Sequence, residues 1–340
     1  MIIKTAVVIL NWNGKSFLER FLPLLIERTP GAEIIIADNA SSDDSVEFMK
    51  TNFPQIRLII NDKNYGFAGG YNMALKQVEA DYYVLLNSDI EVDHNWLEPL
   101  VEALERNPDA AACQPKIIDY HRREYFEYAG ASGGFIDKNG FPFCRGRIFS
   151  TLEKDHGQYD DEIEIFWASG ACMLVRAKIY HELGGLDDDF FAHMEEIDFC
   201  WRLLNAGKKV LVVPQSRVFH IGGGTLPKKS SRKTYLNFRN NYLLLYKNLP
   251  SNKIFPILTK RLFLDWIAVV VFVFQGHFGD AMAVAKAQRH FYFSFKKHRH
   301  KREGMTSFSR SHIYNRSIIL SYHLRRKRTF DKLVAEKFLR

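Results

Sequence analysis

The feature that most limits what this chain can fold into is a rhythm in its N-terminal quarter. Apolar, largely β-branched or aliphatic runs of strand length occur at residues 5–10, 33–37, 57–60 and 82–86, and turn or loop residues follow each one. Between and after them, residues 15–26, 45–51, 70–78 and 95–106 carry helical spacing, with Asp44, Ser45 and Asp93 available as caps. Strand alternating with helix predicts an α/β fold with a mainly parallel sheet, covered by helices on both faces. Ligands of such sheets sit beyond the carboxyl ends of the strands, so the polar residues just after each strand are where function is sought first.

The rest of the 340-residue chain is less regular. Residues 113–164 mix Gly, aromatic and charged residues without a clear period, and predict short strands and substrate-facing loops. Order returns at 165–175, with a short helix at 178–183, a helix at 195–205 stopped by Gly207, and strands at 209–213 and 216–220. After Gly222-Gly223-Gly224 the character changes: 235–248 reads as a helix, 262–274 is strongly apolar, and the remainder is basic with aromatics. A boundary near Leu226 therefore divides the chain into residues 1–225 and a helical, basic extension at 226–340.

Charge sharpens that division. The formal net charge is +8, but residues 286–340 hold 16 Lys and Arg against 3 acids, a net of +13, so the first 285 residues carry −5. Four cysteines, Cys113, Cys144, Cys172 and Cys200, form no CxxC or CxxH pair, which argues against a zinc ribbon or redox dithiol and for buried thiols. The N-terminus leads from one lysine straight into the first strand without a signal-peptide pattern, and predicts a cytoplasmic body. Gly130-Ala131-Ser132-Gly133-Gly134 fits a hydrolase nucleophile elbow in letters only, since no helical pattern follows it.

The strand ends supply the chemistry. Asn11-Trp12-Asn13-Gly14 follows the first strand, and Asp38-Asn39-Ala40-Ser41-Ser42-Asp43 the second. An acid at the second strand end can accept hydrogen bonds from a nucleotide's base or ribose, or can simply cap the turn that follows. After the third strand comes a segment with Asn64, Gly66, Gly69 and Gly70, where glycine lets backbone approach a ligand; its spacing is not the dinucleotide fingerprint. The fourth strand ends in Asn87-Ser88-Asp89, and a carboxylate there can hold a divalent cation together with diphosphate oxygens. Glu195, Glu196 and Asp198 follow an aromatic turn, Phe190-Phe191-Ala192-His193-Met194, and His220 ends a later strand. Three acids opening a helix can complement its dipole, yet an apolar approach disfavours a carboxylate's charge and so suits a general base.

Taken in order, these motifs over residues 2–225 resemble the family 2 glycosyltransferases of GT-A fold, a Rossmann-like arrangement, and among them the bacterial rhamnosyltransferase-like enzymes of surface polysaccharide assembly. The resemblance implies that Asn11, Asn13, Asp38, Asn64, Gly66, Asn87 and Asp89 bind a nucleoside-diphosphate sugar, with Asp38 at the base and Asp89 as the last acid of the metal motif. It implies Mg²⁺ or Mn²⁺ held by Asp89 and His220, Glu196 as catalytic base beside Glu195, and Gly170, Ala171 and Asp198 on the acceptor side. Two departures stand out: Asn87 replaces the first aspartate of the metal motif, and Glu195-Glu196 replaces the usual Glu-Asp. The implied reaction is a single displacement that inverts the anomeric centre, with dTDP-rhamnose or a UDP-hexose as donor and a glycan or polyprenyl-diphosphate-linked acceptor.

The uninterrupted apolar stretch at 266–274 is too short to span a bilayer. Lys286, Arg289, Lys296, Lys297, Arg299, Lys301 and Arg302, interleaved with Phe291, Tyr292, Phe293 and Phe295, suit the surface of an anionic membrane, which places the protein peripherally at the inner face of the cell membrane. The same residues could instead form a solvated face of a helix packed on the body. Two other classes fit parts of the chain: a catalytically silent sugar-nucleotide or polysaccharide-binding scaffold, and a nucleic-acid-binding protein using the basic tail. No helix-turn-helix, ribonucleoprotein or zinc-finger signature accompanies that tail, which argues against a nucleic-acid partner.

Overall fold

The computed structural model describes residues 3–222, 230–302, 309, 312–334 and 338. Strands β1 (Thr5–Asn11), β2 (Glu33–Asp38), β3 (Arg57–Ile60) and β4 (Tyr82–Asn87) alternate with helices α1 (Lys15–Glu27), α2 (Ser45–Asn52) and α3 (Gly66–Leu75). There follow β5 (Ile90–Val92), α4 (Glu98–Arg106), β6 (Ala110–Asp119), β7 (Gly134–Asp137), β8 (Pro142–Cys144), β9 (Arg147–Ile148), β10 (Thr151–Leu152), β11 (Ile163–Glu164) and β12 (Cys172–Arg176). The chain continues through α5 (Ala177–Glu182), α6 (Glu195–Asn205), β13 (Lys209–His220), α7 (Ser231–Asn248), α8 (Ser251–Phe274) and α9 (Phe278–Ser294). Beyond these lie β14 (Ile313–Tyr314), α10 (Ile318–His323) and α11 (Asp331–Val334).

The central sheet runs β11-β13-β6-β12-β4-β1-β2-β3, with β5 alongside β13. β1 is parallel to both β2 and β4, and β2 to β3. β12 enters antiparallel between β4 and β6, which makes the sheet mixed and brings the middle of the chain beside the end of β4. Alternation decides the two faces: Val7 and Ile9 pack under Leu18, Leu22 and Leu25 of α1, while Val8 faces Tyr71 and Ala74 of α3. Each such fully buried aliphatic side chain contributes about 1.5–3 kcal/mol.

Several sequence expectations shift for local reasons. The fourth helix begins at Glu98, not at residue 95, because Asn95 adopts a left-handed backbone (φ 51°) and Trp96 turns into the core. The two strands expected at 209–213 and 216–220 are one strand with an irregularity between Val213 and Arg217, where the buried Ser216 hydroxyl donates to the Trp96 carbonyl. The apolar residues 262–274 form the second half of α8, and no described helix is long and apolar enough to cross a membrane. All four cysteines are buried free thiols. The expected boundary at Leu226 lies outside the described residues.

The C-terminal region shares its core with what precedes it. β14 pairs with β7, extending a small second sheet, and Phe330 and Phe338 stack into Phe135 and Phe143. Part of the aromatic content of the basic tail is thus core: Phe291 is buried against Tyr242 and Tyr246 of α7, whereas Phe293 remains 86% exposed.

Candidate active site

At the ends of β1 and β2 the polar residues are occupied with one another. Asp38, buried, accepts from Asn11 Nδ2 at 2.9 Å, from Ser41 Oγ at 2.6 Å and from the Ser41 amide at 2.9 Å. Asn13, itself left-handed (φ 53°), accepts through Oδ1 from the Ser42 and Asp43 amides. Asn39 ties in the third strand end: its Nδ2 donates to Asn64 Oδ1 and to the Gly66 carbonyl, and its Oδ1 accepts from Asn61 Nδ2 and from the Tyr65 amide. Asn64 then accepts from the Gly66 amide at 2.8 Å. Gly66 (φ +74°) is obligatory here, because a Cβ would lie 2.5 Å from the Phe191 carbonyl oxygen. Asn11, Asn13, Asp38, Asn64 and Gly66 therefore come together as one hydrogen-bonded cradle.

The end of β4 meets β13. Asp89 is buried with its Oδ1 3.2 Å from His220 Nε2, and His220 Nδ1 lies 3.3 Å from Glu127 Oε1. Burial works against a charged imidazole, but the carboxylates of Asp89 and Glu127 outweigh it and push His220 up to about 10. Glu127, buried and anchored by the Ala129 amide, was not among the residues expected from sequence. Its only signal there is an acid set among the aromatics Tyr125, Phe126 and Tyr128.

Glu195 and Glu196 open α6 after a strained turn. Phe191, His193 and Met194 all have positive φ, at 64°, 70° and 74°, a conformation bulky residues avoid unless their surroundings impose it. Those surroundings can be named. The Phe191 carbonyl accepts from the Phe67 amide of α3 at 2.6 Å, and Asn240 Nδ2 of α7 lies 2.9, 2.8 and 2.6 Å from the carbonyls of Phe190, Ala192 and His193. Arg239 adds a further bond to the Phe190 carbonyl. Asn240 is a second site residue that sequence reading missed; its only sequence signal is the amide pair Asn240-Asn241 just before the apolar run 242–246, and the structure buries both.

Both glutamates keep one buried oxygen, Oε2, without a hydrogen-bond partner. Burial, and then the neighbouring Glu196 charge, drives the Glu195 carboxyl far above its ordinary range, while burial raises Glu196 to about 7. Glu196 is also the more accessible of the two, since Glu195 is 4% exposed and Glu196 only half-buried. Gly170 lies beside it: a Cβ there would stand 3.7 Å from the Glu196 Cβ and 3.1 Å from the Phe67 ring. The next residue, Ala171, accepts through its carbonyl from the Asn87 amide at 2.9 Å, which links Glu196 to the strand end that carries Asp89.

Asp198 does not join this group. It is fully buried and accepts from Arg202 Nε, Lys247 Nζ and Asn248 Nδ2, an ion-paired hub between α6 and α7. These cations outweigh burial and hold its carboxyl below the ordinary range. Ser132 of the elbow-like motif is buried, its hydroxyl donating to the Tyr159 carbonyl.

A mixed sheet whose β1, β2 and β4 ends gather a polar cradle, a buried carboxylate–imidazole pair and an acid-led helix is the arrangement the sequence resemblance to GT-A glycosyltransferases implies. The family model for glycosyl transferase family 2 matches residues 6–184, more than half of the chain, and the protein belongs to that family. Within it the chain is rhamnosyltransferase-like: it is 26% identical over 255 residues to N-acetylglucosaminyl-diphospho-decaprenol L-rhamnosyltransferase of Mycobacterium tuberculosis, covering 70% of this chain and 83% of that one. A low-salt glycan biosynthesis hexosyltransferase of Haloferax volcanii is 23% identical over 283 residues, covering 78% and 81%. Among solved structures, GalNAc-T7 with UDP, GalNAc and Mn²⁺ superposes with a TM-score of 0.58 at 19% identity over 74% of this chain, which spans about half (49%) of that protein. A mannosyltransferase of Pyrobaculum calidifontis with GDP-mannose and Mn²⁺ gives 0.51 at 14% identity, covering 90% and 84%.

Proposed function

We propose that this glycosyltransferase is inverting and metal-dependent, and that it moves a sugar from dTDP-rhamnose or a UDP-hexose to a glycan or polyprenyl-diphosphate-linked acceptor in surface polysaccharide assembly. The observation that carries this reading is Glu196: a half-buried carboxylate with an unpartnered oxygen, raised to about 7, beside Gly170 and tied through Ala171 to the strand end bearing Asp89. A base poised near neutrality is matched to taking a proton from an acceptor hydroxyl. With Glu196 on the acceptor side and the nucleotide cradle at β1 and β2, attack runs opposite to the departing diphosphate, and the anomeric centre inverts. Glu195, held protonated by burial and by its neighbour, keeps a second negative charge away from the base.

The donor set fits a cation that takes most of its ligands from substrate. Among the described residues no three His, Cys, Asp or Glu side chains converge on one point, so no all-protein cage exists. Without a cation, the proton that His220 holds between Asp89 and Glu127 supplies the positive charge those two carboxylates call for; a cation taking an Asp89 oxygen and a His220 nitrogen would displace that proton and supply the charge in its place. Mg²⁺ or Mn²⁺ bound by Asp89 and His220 would neutralise the charge of the leaving diphosphate. The Mn²⁺ recorded with GalNAc-T7 and the Pyrobaculum mannosyltransferase supports this choice, and the decaprenol-linked substrate in the name of the mycobacterial relative supports a lipid-linked, membrane-borne acceptor.

The test is a panel of dTDP- and UDP-sugars with Mg²⁺ or Mn²⁺, scored for nucleoside diphosphate release in the presence of lipid-linked and free glycan acceptors. One donor should turn over well above the rest, and chelation or Asp89→Asn should abolish release. Turnover that survives both would remove the metal from the mechanism.

A further inference from the structure

Helix α8 has two unlike sides. Leu258, Arg261 and Asp265 point inward, with Arg261 paired to Asp265 at 3.2 Å and its guanidinium 3.6 Å from the Phe141 ring centroid. The opposite side presents Phe263, Trp266, Ile267, Val270 and Phe274 at helical spacing, Phe263 at 67% and Phe274 at 87% exposed. The turn at Gln275–His277 leads into α9, whose first turns expose two further apolar side chains, Phe278 and Met282. Large aromatic and aliphatic side chains thus gather on one exposed side, the kind of clustering that marks an interaction or membrane site.

Its charge surroundings say what covers it. Residues 251–302 contain ten Lys and Arg and two acids. Both acids are spent internally: Asp265 on the buried Arg261, and Asp280 on the Thr234 hydroxyl at 2.7 Å. Lys260, Lys286, Arg289, Lys296, Lys297 and Arg299 are exposed. A second copy of the chain is a poor occupant, because a two-fold interface would bring this cationic region against itself without exposed acids to meet it. An anionic bilayer satisfies both halves, taking the aromatics into its interface and the cations onto its headgroups.

We propose that the apolar side of α8, with the first turns of α9, is a docking surface for anionic phospholipid membrane, lying in the interface plane without crossing it. This rests on the membrane-borne acceptor proposed above and assigns the contact to a particular surface. It also connects that contact to the cleft. α9 packs on α7 through Phe291 and Tyr242, ring centroids 5.3 Å apart, and α7 holds the turn before Glu195 and Glu196 through Asn240. A bilayer that holds the helical hairpin therefore holds the acceptor side of the cleft at a set distance from its surface.

The test is flotation of the full chain with phosphatidylcholine vesicles, with and without phosphatidylglycerol. Wild type should float with the anionic vesicles. The combined exposed-face variant Phe263→Asn, Phe274→Asn and Phe278→Asn should lose at least about tenfold in vesicle affinity, given the burial free energy of three phenylalanines. Its thermal unfolding and its nucleoside diphosphate release without vesicles should be unchanged. Lys286→Gln with Arg289→Gln should weaken binding to anionic vesicles only. Failure of wild type to float, equal flotation of the Asn variant, or a concentration-dependent dimer that this variant dissolves would each overturn the proposal. Variant-sensitive flotation of a chain that releases no nucleoside diphosphate from any donor would support the surface while removing the reaction reading.

Discussion

The two halves of the cleft are built on different terms. On the proposed nucleotide side, Asp38, Asn39 and Asn64 are taken up by hydrogen bonds to neighbouring strand ends and Asn13 by the Ser42 and Asp43 amides, while Asn11 donates to Asp38 and keeps one buried oxygen, Oδ1, without a partner. On the α6 side, Glu195 Oε2, Glu196 Oε2 and His193 Nε2 are buried without partners, and three bulky residues sit at positive φ. A protein tolerates unsatisfied polarity and strain only where something else secures them, and here α3 and α7 do so. The contrast is one of degree, and it accords with the proposed roles: binding on the better-satisfied half, chemistry on the other.

The largest effect that would break this contrast is on the base. Glu196→Gln should lower kcat by about a hundred- to ten-thousand-fold, while calorimetry shows nucleoside diphosphate binding unaltered. Weakened nucleotide binding with intact kcat would reverse the assignment.

The next is pH. With Glu196 at about 7, kcat/KM should rise through neutrality and level off above it, and the variant's residual rate should lose that limb. Stability should run the other way. The folded carboxyl binds its proton more tightly than the unfolded one, whose ordinary value is 4.5, so the protein loses stability as pH rises from there to about 7. Glu196→Gln should therefore gain at least about 1 kcal/mol over wild type at pH 8, relative to their difference at pH 4, in chemical denaturation.

A smaller effect separates the strained turn from the groups it carries. Asn240→Ala leaves three carbonyls without their amide, and should cost about 1–3 kcal/mol in denaturation and roughly tenfold in kcat, with donor KM preserved. Smallest is Ser41→Ala in the better-satisfied half: about 1 kcal/mol of stability and a modest rise in donor KM, with kcat unchanged. A kcat effect from Ser41 that matched Asn240 would blur the two halves into one.

What could be read from the sequence follows the same division. β1 to β4 announce themselves as apolar runs ended by turn chemistry, and Asp38 and Asp89 are visible because each strand end is a fixed place to look. Glu127 and Asn240 are not visible, because each acquires meaning only from a partner on another element: Glu127 from His220 on β13, Asn240 from the Phe190–His193 carbonyls. Asp198 reads as one of three acids opening a helix, yet Arg202, Lys247 and Asn248 turn it inward. The gap at 214–215, Pro214-Gln215, separates two expected strands, and the bond from the Ser216 hydroxyl to Trp96 that bridges the irregularity has no sequence signature.

The pairing of β14 with β7 also sets an order on biosynthesis. Phe135 and Phe143 are made well before their cover, Tyr314, Phe330 and Phe338. Until those residues have left the ribosome the small sheet lacks its edge strand and its aromatic lid, so the growing polypeptide carries exposed apolar surface while the intervening residues are made. The basic tail cannot be trimmed away as an address label, because the same segment that carries the charge also closes the core.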